Sequence, residues 1–182
     1  MQKLSKIMVV VLLLCMFVLL YLGGVAVVIF RKKQMPVYIN SQADCMNAYS
    51  RLVREYDERA DVKSNEYYRQ LIEKDLGLKF YIYKETDNMS YYTAGSCLVI
   101  RTIVIDKNNV GYTYCWNFAH EAMHLKHFIL HEEYVCFETF KYLYEHEELH
   151  NVGVVLGLNI LKGLYSGEYD VSDYIIDYLT NK

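Results

Sequence analysis

Apolar and polar positions divide this chain into a long uncharged run, a short linker and a region of mixed periodicity. The run extends from Ile7 to Phe30 without a charged residue. As a helix rising about 1.5 Å per residue it reaches about 36 Å, more than the roughly 30 Å of a hydrocarbon core. A secretory leader has an apolar part of only about 7–15 residues, and here Arg31-Lys32-Lys33 follows the run directly. The pattern predicts a transmembrane helix over residues 7–30 inside an N-terminal anchor, residues 1–33. The lipid bilayer is then a partner and the location single-pass membrane. Lys3 and Lys6 precede the span while Arg31, Lys32 and Lys33 follow it, which favours a cytoplasmic C-terminal domain by a narrow margin.

Residues 34–41 form a linker in which Met35-Pro36 stops helical continuation. The remainder, residues 42–182, reads as one domain. From Gln42 to Glu58, Cys45, Met46, Tyr49, Leu52, Val53 and Tyr56 recur at helical spacing. A second helix follows over Ser64–Asp75, opened by Ser64 and ended by Gly77. Strands are predicted at Leu78–Tyr83, Ser90–Thr93 and Cys97–Asp106, the last being the strongest β signal in the chain. From Thr113 to about Leu164 the pattern is helical. Helices, a small sheet, then helices give an α+β class.

Composition sharpens this picture. Five of the 19 Lys and Arg precede Gln34 and none of the 22 Asp and Glu does, so residues 34–182 carry a formal charge of −8. No basic footprint for phosphate backbones exists, which excludes nucleic acid as a partner. Cys45, Cys97, Cys115 and Cys136 contain no CxxC pair, and free thiols are the simplest account of them. All six histidines fall between His120 and His150.

Two segments in that stretch read HExxH: His120-Glu121-Ala122-Met123-His124 and His146-Glu147-Glu148-Leu149-His150. Histidines four apart on a helix face the same way, so both can reach one Zn²⁺, and the intervening Glu can serve as a base toward water. Phe118-Ala119 and Leu125 give the first motif the apolar flanks of a buried helix. Glu145 and Glu148 surround the second with charge, as on a solvated face. His120 and His124 are therefore the candidate metal ligands and Glu121 the candidate catalytic base. HExxHxxGxxH is excluded, because His127 and Leu130 occupy its last two positions. A Glu from the next helix is the remaining solution, with Glu132, Glu133 and Glu138 nearest. A weaker alternative places the ion on His146, His150 and Glu168. Cys115 and Cys136 read as packing thiols, the other possibility being an auxiliary zinc ligand.

From Leu78 to about Tyr144 the chain resembles the ImmA/IrrE-type metallopeptidases and related small gluzincins. The resemblance rests on the sheet, the apolar lead-in to His120-Glu121-Ala122-Met123-His124, and Glu133-Tyr134-Val135-Cys136 on the following helix. It implies a zincin-like domain holding Zn²⁺ on His120, His124 and Glu133, with Glu121 catalytic. It also implies a protein substrate of the regulator kind, such as a repressor or anti-sigma factor. The expected activity is that of a membrane-anchored zinc metallopeptidase, with the strand Cys97–Asp106 pairing with an extended substrate segment. Phe137 stands where the family has Asp or Asn, and Met123 where it commonly has Gly. Those departures support the alternative, a zincin-like domain that binds a partner or senses metal without hydrolysis.

Overall fold

Ser41 and Ser64 each supply the side-chain acceptor that starts a helix. At α1 (Gln42–Glu55) the Ser41 hydroxyl accepts from the Asp44 N–H at 3.2 Å, and the Asp44 carboxylate accepts from the Ser41 N–H at 2.8 Å, a capping box. At α2 (Asn65–Leu76) Ser64 accepts from the Tyr67 N–H at 3.2 Å. Gly77, at φ 62°, closes that helix in the left-handed conformation. The computed structural model describes residues 11, 13–21, 36–87, 94–98, 100–129, 131–163 and 171–181.

Two compact units divide at Lys32 and Lys33. In the first, residues 11 and 13–21 are helical. Among the described residues no helix is long and apolar enough to cross a membrane. This corrects the expected transmembrane helix, of which residues 11 and 13–21 are the described part. Residues 7–10, 12 and 22–30 of the predicted span lie outside the described residues. The anchor, the bilayer as partner, the single-pass location and the cytoplasmic orientation all depended on that span and are withdrawn with it.

The second unit carries an α+β arrangement. Strands β1 (Ile82–Thr86), β2 (Ala94–Cys97) and β3 (Thr102–Asp106) form one sheet in the order β1-β3-β2. β1 runs parallel to β3, with Ile82 opposite Thr102, and β2 runs antiparallel, with Cys97 opposite Thr102. The sequence Cys97–Asp106, predicted as one strand, is thus the end of β2, a turn and β3. Arg101 turns the chain at φ 46°, a conformation without the Gly or Asn that would announce it. β3 is paired on both sides, so it cannot receive an added segment, and that expectation fails. The predicted strand Ser90–Thr93 lies outside the described residues.

Helix α3 (Gly111–His127) packs against α2, β2 and β3, and also meets α4 (Glu132–Glu145) and α5 (His150–Leu161). Its N-terminus is tied to that of α2: Asn65 accepts from the Gly111 N–H at 3.2 Å and donates to the Asn109 carbonyl at 2.8 Å. Phe118 stacks on Tyr114, with centroids 5.9 Å apart, and meets the Tyr83 ring edge-on. Tyr114, Phe118, Ala119, Ala122 and Leu125 are buried from several directions, as in a helix enclosed by other elements. Helix α6 (Ser172–Thr180) packs on α1, where Arg51 donates to the Leu179 carbonyl at 2.7 Å.

Candidate metal centre

The last two turns of α3 and the first of α4 bring three donors together. His120 and His124 lie one turn apart on α3, and their Nε2 atoms are 3.1 Å from each other. Glu132 is the first residue of α4. Its Oε2 is 3.1 Å from His120 Nε2 and its Oε1 is 3.3 Å from His124 Nε2. Ligand atoms on a tetrahedral ion at about 2.0–2.1 Å stand about 3.3 Å apart, so nitrogen, nitrogen and carboxylate already have the spacing of a shared ion. The donor set fits a zinc site.

Both rings are held by their other nitrogen. His124 Nδ1–H donates to the Ile129 carbonyl at 2.7 Å, which leaves the Nε2 lone pair for the centre. His120 Nδ1 lies 3.7 Å from Cys136 Sγ. Cys136 stands one turn after Glu132 on the same face of α4. His120, Glu132 and Cys136 each offer a donor atom within 4.8 Å of the others, a group able to hold a metal ion. The His124 side chain is 4% exposed, His120 12% and Glu132 37%, so the centre opens toward solvent beside Glu132.

The local turn explains the convergence. Phe128 ends α3 in the left-handed conformation at φ 55°, its N–H donating to the His124 carbonyl. That bend puts the Ile129 carbonyl back under His124. His131 then caps α4, accepting from the Tyr134 N–H at 3.3 Å.

Electrostatics follow from these contacts. Burial disfavours a charged His120, but its hydrogen bonds to Cys136 and Glu132 and the charges of Cys136 and Glu121 outweigh this and raise it to about 10. Burial pushes the Glu132 carboxyl up, and hydrogen bonds and charge from both histidines reverse that, holding it well below the usual carboxylate range. Glu121 is buried.

Of the three glutamates weighed as third ligand, the one at the histidines is Glu132, not Glu133, the residue the resemblance selects. One residue along a helix is about 100° of rotation. Glu133 therefore turns away, and its charge acts on Tyr174 of α6. Glu138, six residues from Glu132, is about 240° around the helix. Four residues after Glu132 is Cys136 rather than Phe137, so a partner for His120 does exist. The matching four-residue spacings, His120–His124 and Glu132–Cys136, were the signal available in the sequence. Ile129, which contributes a backbone carbonyl, left none.

The second HExxH does not form a helical face. α4 ends at His146, Glu147–Leu149 is a 3₁₀ turn, and α5 begins at His150. His146 Nε2 pairs with Asp75 at 2.8 Å, while His150 Nε2 lies 3.7 Å from Glu55 and its Nδ1 is 2.5 Å from the Tyr144 carbonyl. Glu168 lies outside the described residues. His127 packs edge-on against the Tyr134 ring, with centroids 5.8 Å apart.

Comparisons of the chain with protein-family models, with curated proteins and with solved structures find no match.

Proposed function

We propose that this domain binds a metal ion, zinc by the nature of its donors, on His120, His124 and Glu132, and that it acts as a zincin-like binding or sensing domain. One observation carries the reading: two imidazole Nε2 atoms and a carboxylate converge at 3.1–3.3 Å. Imidazole and carboxylate suit Zn²⁺ among the available divalent ions. Elemental analysis of the metal-replete chain tests this. About one zinc per chain is expected, lost in His124→Ala and retained in His150→Ala. No zinc in the unaltered protein, or loss only with His150→Ala, overturns the assignment.

Metal-dependent peptide hydrolysis is a second reading, favoured by one feature: Glu121 is buried beside a ligand histidine and its charge acts on His120. The ion would supply positive charge to polarise a scissile carbonyl. Glu121 would take a proton from the attacking water and deliver it to the leaving amine. Under this reading Glu121→Gln retains zinc and ends cleavage of a fluorogenic peptide library. Cleavage that survives Glu121→Gln removes Glu121 as the base.

A further inference from the structure

We infer that Cys136 is the positioning residue of His120: its sulfur accepts from the Nδ1–H of the ring and so keeps Nε2 turned to the ion. The inference rests on metal binding at His120, His124 and Glu132, and it names the contact that prepares the more exposed of the two ligand histidines.

Position comes first. Cys136 and Glu132 are four residues apart on α4, so they share a face, and that face grips both nitrogens of one ring. Glu132 Oε2 is 3.1 Å from His120 Nε2, and Cys136 Sγ is 3.7 Å from His120 Nδ1. The sulfur therefore stands behind the ring, away from the ion. Cys136 is 5% exposed, which keeps water from competing for Nδ1. His124 packs edge-on against the same ring, with centroids 4.7 Å apart and planes at 82°. That contact fixes the plane of the His120 ring but not its sense, because half a turn about the Cβ–Cγ bond leaves the plane unchanged. The turned ring would present Cε1 in place of Nε2, and carbon has no lone pair for a metal. Polar partners at the two nitrogens choose between the two senses. The Glu132 contact with Nε2 gives way when an ion takes that lone pair, whereas the sulfur contact at Nδ1 persists.

Chemistry comes next. An ion on Nε2 leaves the single ring proton on Nδ1, where it needs an acceptor. For His124 that acceptor is the Ile129 carbonyl at 2.7 Å. For His120 it is a thiol sulfur, a weaker acceptor at longer range. The thiol keeps its own proton and makes no bond to the ion. The two ligand rings are thus held unequally, and His120 is the one whose hold depends on a side chain.

Three variants separate an acceptor from mere packing. Cys136→Ala removes the acceptor and leaves a gap, Cys136→Val removes it and fills the space, and Cys136→Ser restores an acceptor in a similar volume. Circular dichroism verifies the fold of each. Chelator competition on the full chain should show zinc bound about tenfold more weakly in Cys136→Ala and Cys136→Val, and within about threefold of the unaltered chain in Cys136→Ser. In the zinc-loaded unaltered chain with ¹⁵N-labelled histidine, NMR should show a zinc-dependent Nδ1–H signal in slow exchange with water for each ligand histidine. The His120 signal should be lost in Cys136→Ala and regained in Cys136→Ser, a change that a packing role would not produce. Co²⁺ should give visible d–d bands without the near-ultraviolet charge-transfer band of a thiolate ligand. Full zinc affinity in Cys136→Ala and Cys136→Val, Cys136→Ser as weak as Cys136→Ala, no slow Nδ1–H on His120, or a thiolate band on Co²⁺ each overturns the inference and leaves metal binding intact. An unaltered chain that binds neither zinc nor Co²⁺ overturns both.

Discussion

His124 Nδ1 lies 2.7 Å from the carbonyl oxygen of Ile129, and that contact depends on the bend at Phe128. An L-residue held left-handed costs about 1–2 kcal/mol, so φ 55° at Phe128 marks a turn retained by its surroundings. Phe128→Gly accepts the same φ and should keep zinc affinity within about threefold. Phe128→Pro cannot reach it and also loses the N–H that donates to the His124 carbonyl. Freed of its carbonyl, His124 should bind zinc about 10–100-fold more weakly. Chelator competition reads both values, and equal affinities would show that the turn does not position the ring.

Glu132 and Glu133 are adjacent in sequence but serve different surroundings. Glu132→Gln should weaken zinc binding by at least about tenfold, because it removes a charged donor that faces two histidines. Glu133→Gln should stay within about threefold. Isothermal titration separates them, and the reverse order would return the third ligand to Glu133.

The elements of the domain were legible where a local signal existed. Ser64 and Gly77 bound α2 as their chemistry predicts, and the apolar flanks of His120 and His124 correctly mark a buried helix. The site was half legible: the histidine spacing is a property of one helix, whereas the choice among Glu132, Glu133 and Glu138 depends on how α4 is rotated against α3. That rotation follows from Phe128 and His131, neither of which carries a turn-forming signature. The β2–β3 turn escaped for the same reason, since Arg101 takes a positive φ. The second HExxH misleads because a motif assumes a continuous helix, and the chain breaks at His146.

Acidity should govern metal binding through His120. Its pKa, raised from 6.5 to about 10 in the metal-free fold, means that this histidine favours folding fully below about 6.5, and that the contribution is lost as pH rises through about 10. A bound ion must displace the proton. Apparent zinc affinity should therefore rise with pH, by up to about tenfold per unit, and level off near 10. Glu132 has the opposite sign: its lowered carboxyl stabilises the fold above the ordinary carboxylate range, and that contribution fades as pH falls through the lowered value. Chelator competition between pH 7 and 9 tests the His120 effect, and a flat profile would contradict it.

The second motif should behave as two separate ion pairs. His146→Ala removes a partly exposed pair with Asp75 and should cost about 0–1 kcal/mol. Zinc stoichiometry should be unchanged in His146→Ala and in His150→Ala. Loss of zinc in either variant would mean that this region contributes a ligand.

Helix α5 approaches α4 through Gly153, where a side chain would meet backbone atoms. A methyl at Gly153 would lie 2.4 Å from the Tyr144 nitrogen and 2.6 Å from its Cα. At Gly157 the nearest atoms are the Leu52 Cδ1 and Phe140 Cε2 side-chain atoms, each 2.8 Å away. Side chains can rotate, whereas Tyr144 backbone atoms move only with the whole of α4. Gly153→Ala should therefore cost about 1–3 kcal/mol or more, and Gly157→Ala less. In a chain of this size that is a fall in Tm of at least about 2–4 °C per kcal/mol for Gly153→Ala. Since α4 also carries Glu132 and Cys136, zinc affinity should fall with Gly153→Ala and hold in Gly157→Ala. Paired thermal melts and zinc titrations decide this, and a Gly157→Ala variant as unstable as Gly153→Ala would mean that the side chains cannot yield either.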